Sequence, residues 1–207
     1  MRDRVAQLRR DLPWEPVSTD FVFDGPNGQE RLSELFDGRS QLIVYHFMFA
    51  PEWDAGCKSC SFWADNFDPI IVHLNHRDVS MVAISRAPYE KLEAFEKRMG
   101  WSFKWLSSAS NAFHYDYGVS FRADDVAKGS VRYNYRQFDP DGDTDLPGIS
   151  VFIKTDDGKM YHTYSCYARG IDLMNTAYNY LDLTPKGRDE GDAPQRWVRR
   201  HDEYDVE

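Results

Sequence analysis

Two cysteines separated by two residues are the part of the sequence best suited to chemistry. Cys57 and Cys60 lie in the stretch PEWDAGCKSC. This spacing is typical of a redox-active dithiol, of half of a zinc site, or of two unreactive thiols in a core. The surrounding residues must decide among these three interpretations.

The position of the pair favours a redox dithiol. Residues 41–49, QLIVYHFMF, predict a strand buried on both faces, and the chain from Lys58 onward predicts a helix. Cys57 then lies where a helix begins, and the free N–H groups there favour the thiolate, which is the nucleophile in disulfide exchange. Cys60 lies one turn behind, where it can attack a mixed disulfide on Cys57 and release the partner. Neither step requires a cofactor.

Four other residues are predicted to bind the substrate. Trp53 offers an apolar wall, Lys58 a cationic side chain, and Ser59 lies between the cysteines. Pro147 precedes a later strand, and a cis bond there would leave the neighbouring backbone free to pair with a substrate chain.

Zinc is the alternative use of the cysteines, because His73 and His76 follow them in the sequence. Zinc-finger histidines are separated by three to five residues, whereas these are separated by two. A straight helix rising 1.5 Å per residue would also place His73 roughly 20 Å from Cys60. The sequence therefore predicts no metal site.

Strand-like and helix-like segments alternate after the pair. Residues 78–85 predict a second buried strand, residues 88–100 a helix, and residues 101–108 a third strand. Two strand-like runs then flank Asp156-Asp157-Gly158, which predicts a hairpin. Strands separated by helices imply parallel crossovers, so we predict an α/β fold with a mixed central sheet flanked by helices.

The two ends of the chain are predicted to differ from this domain. Residues 1–18 predict a helical arm, residues 19–183 the domain, and residues 184–207 a polar tail that is irregular or wrapped against a neighbour, as in a homodimer.

Composition limits the partners and the compartment. The chain has 207 residues and a net charge of −9, which disfavours nucleic acid and anionic membranes as main partners. No apolar h-region of a secretory signal is visible, and the longest apolar run is too short to span a bilayer. Three cysteines are too few for a disulfide scaffold. We predict a cytoplasmic protein.

Two long stretches resemble a known family. They are VFDGPNGQERLSELFDGRSQLIVYHFMFAPEWDAGCKSCSFWADNFD and YARGIDLMNTAYNYLDLTPKGRDEG. Both resemble the DUF899 family of thioredoxin-like proteins, and the resemblance extends over residues 12–190. It implies a thioredoxin-like three-layer sandwich and a dithiol–disulfide oxidoreductase in which Cys57 attacks, Cys60 resolves and Pro147 faces the substrate.

The resemblance also raises the question of a proton acceptor for Cys60. Thioredoxin has a buried acid on the strand that leads to its CxxC, and His46 would occupy that place here. A histidine would then take the proton from Cys60, whereas the alternative interpretation of His46 is a core histidine hydrogen-bonded to the backbone. Cys166 is predicted to be a buried, inert thiol.

Two alternatives to disulfide exchange stay open. One is a thiol peroxidase, in which Cys57 attacks a peroxide, Cys60 resolves the sulfenic acid, and Arg86 or Arg136 serves as a donor. The other is a non-catalytic interaction protein on the same scaffold, since a fold alone does not decide function.

Overall fold

Buried strands rich in aromatic and β-branched residues alternate with amphipathic helices along most of the chain. The computed structural model describes residues 1–129, 131–139 and 144–204. Its strands are β1 (Glu15–Pro16), β2 (Val22–Gly25), β3 (Gly28–Arg31), β4 (Gln41–His46), β5 (Val79–Ser85), β6 (Trp105–Ser107), β7 (Ser120–Phe121), β8 (Arg132–Tyr133), β9 (Arg136–Gln137), β10 (Thr144–Asp145), β11 (Gly148–Lys154) and β12 (Met160–Tyr167). Its helices are α1 (Arg2–Arg10), α2 (Lys58–Ala64), α3 (Asp68–Asn75), α4 (Tyr89–Met99), α5 (Phe113–Asp116), α6 (Ala123–Ala127) and α7 (Thr176–Leu181), with 3₁₀ turns at Ala168–Met174 and His201–Glu203.

A mixed sheet forms the centre of the fold. Within the described ranges its strand order is β1-β12-β11-β4-β5-β6-β2-β3. Strands β4, β5 and β6 are parallel, as their helical crossovers require, and β11 pairs antiparallel with β4. The predicted hairpin of β11 and β12 therefore extends the sheet on one side. This is the predicted thioredoxin-like α/β arrangement with a mixed sheet flanked by helices.

The side chains of β4 point alternately to two separate cores. Tyr45 belongs to the core on the side of α2 and α4, together with Cys60 and Trp105. Val44 belongs to the core on the other side, together with Phe113. Since successive residues of a strand face opposite ways, each core receives every second side chain of this strand.

Helix α4 follows its predicted pattern closely. Leu92, Phe95 and Met99 are buried, which places one apolar stripe on the sheet. Gly100 ends the helix in the left-handed conformation with φ 67°, where a residue without Cβ is favoured.

Two segments are interrupted where the backbone turns. Residues 131–138, which alternate like one strand, form a tight hairpin of β8 and β9 because Asn134 and Tyr135 both adopt positive φ. The helical segment after β12 is divided at Asn175, whose side chain accepts a hydrogen bond from the backbone N–H of Tyr178 and so caps α7.

Both ends of the chain pack on the domain. The Arg9 guanidinium of α1 donates to the Tyr164 hydroxyl. Residues 189–204, here called the C-terminal strap, contact the body near α2. Within the strap Val198 is completely buried, and Trp197 packs edge-on against Phe62 of α2. No helix in the described ranges is long and apolar enough to cross a membrane.

Candidate active site

Backbone and sulfur hydrogen bonds around Met48 hold the two cysteines in place. The Cys57 N–H donates to the Met48 carbonyl at 3.0 Å, and the Met48 N–H donates to Cys60 Sγ at 3.4 Å. Cys57 is the residue that precedes α2, and its carbonyl accepts from both the N–H and the hydroxyl of Ser61. The chain beyond the end of β4 therefore fixes both ends of the CxxC.

The residue before Cys57 must be small. A Cβ on Gly56 would lie 2.8 Å from the Phe47 ring and 2.9 Å from the Phe95 ring. The Gly56 carbonyl accepts from Nε and Nη2 of Arg200 at 3.0 and 2.7 Å. Rigid rings on one side and a strap guanidinium on the other hold the peptide that leads into Cys57.

The two thiols have pKa values that are pushed apart. A hydrogen bond from the Cys60 thiol, with further bonds from the backbone of Cys60 and from Ser59, lowers the pKa of Cys57 from 9.0 to about 6 although burial opposes this. Burial, together with the hydrogen bond to Cys57 and its negative charge, raises the pKa of Cys60 well above 9.0. At neutral pH these shifts favour the thiolate form of Cys57 and the protonated form of Cys60, and the thiolate is the form of a cysteine that acts as a nucleophile.

A small cavity of about 320 Å³ opens onto both cysteines. Its walls are mainly apolar, and a few polar side chains complete them. The lining residues besides Cys57 and Cys60 are Tyr45, Met48, Trp63, Pro147, Ala168 and Ile171 with Ser59, Arg169, Asp172 and Gln195. A pocket of this size accommodates a small molecule or a single side chain.

Tyr45 lines this cavity with a buried polar side chain. Its side chain is completely buried, and its hydroxyl has no hydrogen-bond partner of ordinary geometry among the residues that the structure describes. The polar group facing it is the Cys60 thiol: after burial, interaction with Cys60 is what raises the pKa of Tyr45 above 10.0. The same interaction favours the thiolate form of Cys60.

The predicted substrate-binding residues divide into two groups. Ser59 and Pro147 line the cavity, whereas Trp53 and Lys58 do not. Trp53 packs against the core and accepts a hydrogen bond from Lys91 at its carbonyl, and Lys58 Nζ donates to the Arg196 carbonyl of the strap.

The cis bond considered for Pro147 from the sequence is not formed. The peptide bond before Pro147 is trans, because the described residues contain no cis peptide. The Pro147 carbonyl instead accepts a hydrogen bond from the Tyr133 hydroxyl at 2.7 Å. That hydroxyl also accepts from the Ala168 N–H, so it ties together two walls of the cavity.

The prediction that His46 takes the proton of Cys60 is also corrected. His46 points to the opposite face of the sheet, where its ring packs against Phe113 and Tyr117. Its Nε2 is bonded to the Ser150 hydroxyl at 2.9 Å, and burial lowers its pKa well below 6.5. The strand period placed Tyr45, its neighbour in sequence, beside Cys60 instead.

The candidate peroxide donors and the third cysteine lie outside the cavity lining. Arg86 is held by Asp145 and by the Tyr115 hydroxyl, and Arg136 is exposed on β9. Cys166 is buried on β12, and burial raises the pKa of its thiol. The possible metal ligand His73 is exposed on α3, and no group of three or more His, Cys, Asp or Glu in the described ranges could hold a metal ion.

Several cavity residues were missed from the sequence, and only one of them left a signal there. The alternation of β4 shows that Tyr45 and His46 face opposite ways, but it does not say which of them faces the helix that carries Cys60. Ile171 and Gln195 reach the cavity from distant segments, and their local sequence carries no sign of it. The same holds for Tyr133, whose hydroxyl bonds to Pro147 and Ala168 of the cavity wall.

The comparisons with known proteins agree with this fold. The profile of a family described as "Bacterial protein of unknown function (DUF899)" matches residues 1–204. The chain belongs to this family. A comparison with curated protein sequences found no match.

Solved structures of peroxiredoxins share the DUF899 protein's fold. The peroxidoxin BcpB of Mycobacterium tuberculosis is 16% identical, with a TM-score of 0.52 over 79% of this chain and 93% of its own. A mutant of peroxiredoxin Q from Xanthomonas campestris is 14% identical, with a TM-score of 0.54 over 82% of this chain and 98% of its own. At such low identity the likeness shows a common thioredoxin-type fold.

Proposed function

We propose that this chain is a thiol peroxidase in which Cys57 attacks a small hydroperoxide and Cys60 resolves the product. The observation that carries the proposal is the opposite displacement of two thiol pKa values at one cavity. Pairs of groups whose environments push their pKa values apart are typical of acid–base and nucleophilic sites. The peroxiredoxin fold of the structural neighbours supports this choice over general disulfide exchange.

The first step consumes the peroxide. The Cys57 thiolate attacks the terminal oxygen, an S–O bond forms, and the O–O bond breaks to release an alcohol or water once the leaving oxygen takes a proton. Cys57 is oxidised to the sulfenic acid and the peroxide is reduced. With a pKa of about 6, roughly nine-tenths of Cys57 is thiolate at pH 7.

The second step forms the disulfide. Cys60 loses its proton and attacks the Cys57 sulfur, so that an S–S bond forms and the hydroxide leaves as water. An external thiol must then reduce the disulfide, which suits a reducing compartment such as the cytoplasm.

The size of the site favours a small substrate over a folded protein. The cavity measures about 320 Å³ and the strap residue Gln195 forms part of its wall. Arg200 and Lys58 join the strap to both sides of Cys57. A bulky protein disulfide would have to displace this segment before reaching the thiolate.

Disulfide reduction is the second candidate, and the CxxC spacing favours it. Cys60 lies in the first turn of α2, three residues after Cys57, so it can resolve a mixed disulfide without any local unfolding. Pro147 on the cavity wall is consistent with either substrate.

Parallel assays separate the candidates. Consumption of hydrogen peroxide and cumene hydroperoxide, with dithiothreitol as reductant, is compared with reduction of insulin. We expect hydroperoxide turnover well above that of free thiol, loss of it in Cys57→Ser, and retention in Cys166→Ser as the matched control. Insulin reduction without hydroperoxide turnover would favour the second candidate, and the absence of both would leave a non-catalytic interaction protein.

A further inference from the structure

An unpartnered hydroxyl in a completely buried position calls for an explanation. Burying a hydroxyl without a hydrogen bond destabilises a protein, so a phenylalanine would suit a purely structural position better than Tyr45 does. Tyr45 is completely enclosed, and its hydroxyl has no partner of ordinary geometry in the described part of the chain. It nevertheless forms part of the cavity wall shared by Cys57 and Cys60.

Among the groups around Cys60, Tyr45 is the one whose hydroxyl is available to donate a hydrogen bond to the sulfur as it becomes a thiolate. The Met48 N–H already donates to Cys60 Sγ from one side. In the described ranges, the titratable groups that interact with Cys60 are Cys57 just before α2, Tyr45 from β4 and Tyr133 from the β8–β9 hairpin. Cys57 is the partner to be attacked, and the Tyr133 hydroxyl is already engaged with Pro147 and Ala168.

We propose that Tyr45 is a catalytic residue of the resolving step, in which its hydroxyl donates a hydrogen bond to Cys60 Sγ as that sulfur becomes a thiolate. This rests on the proposed function, since it requires Cys57 and Cys60 to act as a redox pair. The hydroxyl keeps its own proton, because burial holds the pKa of Tyr45 above its ordinary 10.0. The Cys60 proton passes to water, and the thiolate attacks the Cys57 sulfur.

The reaction with dithiobis(nitrobenzoate) reports the two thiols separately. The Cys57 thiolate attacks the reagent, an S–S bond forms to one aryl thiol, and the other leaves as a coloured thiolate. Cys60 then attacks the Cys57 sulfur, forms the protein disulfide and releases the second aryl thiolate. Stopped-flow absorbance of the full-length protein in a Cys166→Ser background resolves both phases without a signal from the third cysteine.

For Tyr45→Phe we expect the first phase to stay within twofold of the parent and the second to slow by about tenfold at pH 7, the effect of losing one hydrogen bond to a charged group. The midpoint of the second phase against pH should move upward, because Cys60 has lost a donor to its thiolate. The variant should be no less stable to heat than the parent, because the lost hydroxyl had no ordinary partner.

Tyr178→Phe is the matched control. Tyr178 is buried in the same core, and its hydroxyl is bonded to Glu190, so its loss should lower thermal stability and leave the second phase within twofold. A Tyr45→Phe protein with a normal first phase and an unchanged second phase and pH midpoint would overturn the proposal for Tyr45 alone. Absence of the first phase in the parent would overturn the role of Cys57 and, with it, that of Tyr45.

Discussion

Strand β4 separates two sets of buried titratable groups, two thiols on one face and three histidines on the other, and the protein shifts their pKa values differently. On one face, the pKa of Cys57 falls to about 6 while that of Cys60 rises. On the other, burial lowers the pKa of His46, His114 and His162 together, so that all three are neutral.

The two faces of β4 also differ in their side-chain hydrogen bonds. Behind β4 a continuous chain of bonds runs from His46 Nε2 to Ser150, from Ser150 to Ser165 and from Ser165 to His162 Nε2, with distances of 2.9, 2.9 and 2.7 Å. In front of β4 the Tyr45 hydroxyl has no such bond in the described part of the chain. The histidine side, formed by His46, His114 and His162, carries an extended hydrogen-bond chain, although His46 Nδ1 and His114 Nε2 are also buried without a partner in the described ranges. The thiol side differs in that the pKa values of its two titratable thiols are displaced in opposite directions.

The largest expected effect comes from removing the thiolate. Cys57→Ser should lower hydroperoxide turnover by more than about a hundredfold, because a serine hydroxyl is not ionised at neutral pH and cannot replace the nucleophile. Unfolding in urea should change little. Turnover by Cys57→Ser that stays near the parent rate would place the chemistry elsewhere in the molecule.

A serine on the histidine side should show the opposite pattern. Ser150→Ala breaks the bonds to both His46 and Ser165, and leaving buried polar atoms unpaired costs about 2 kcal/mol of unfolding free energy. Peroxide turnover should stay within twofold. Urea unfolding and the peroxide assay on the same preparation test this, and a variant that keeps its stability but loses activity would contradict the division between the faces.

Acid should act on stability through the histidine side. The unfolded chain takes up protons on histidine below pH 6.5, whereas native His114 does so only near pH 3. Because the unfolded state binds more protons in this window, stability falls as pH drops from about 6.5 towards 3, by about 1.4 kcal/mol per pH unit for each such histidine.

Urea unfolding between pH 7.5 and 4.5 measures that slope. His114→Asn should reduce the slope of unfolding free energy against pH by the contribution of one histidine, since asparagine can still bond to Ser108 but does not titrate. A slope that is the same in the parent and the variant would mean that His114 does not contribute.

The smallest expected effect concerns the strap. Arg200→Met removes two hydrogen bonds to the Gly56 carbonyl and should make Cys57 more accessible to large substrates. Insulin reduction should rise a few-fold, while turnover of hydrogen peroxide stays within about twofold. Arg199→Met is the control, because the Arg199 guanidinium donates only to strap carbonyls in the described structure.

Much of the scaffold could be predicted from the sequence because its signals are local. The apolar run of β4, the stripe of α4 ending at Gly100 and the turn at Gly158 each have a period or a residue type that determines the backbone. The same signals placed Cys57 at a strand-to-helix junction.

The details of the site depended on contacts that no local pattern records. The period of β4 separates Tyr45 from His46 but does not assign either to the cysteine side, so the proton acceptor was placed on the wrong face. The strap has an irregular sequence, and its position follows from single long-range bonds such as that of Arg200 to Gly56. The trans bond at Pro147 likewise depends on its surroundings, since proline tolerates both isomers.

The rate of alkylation of Cys57 by iodoacetamide as a function of pH tests the central claim most directly. Peptide mapping of the full-length protein distinguishes Cys57 from Cys60 and Cys166. We predict a rate that rises with pH, has its midpoint near 6 and reaches a plateau by about pH 7.5. A midpoint of about 8.5, the value of an ordinary thiol, or a Cys57 that is not labelled in the native protein would contradict the account.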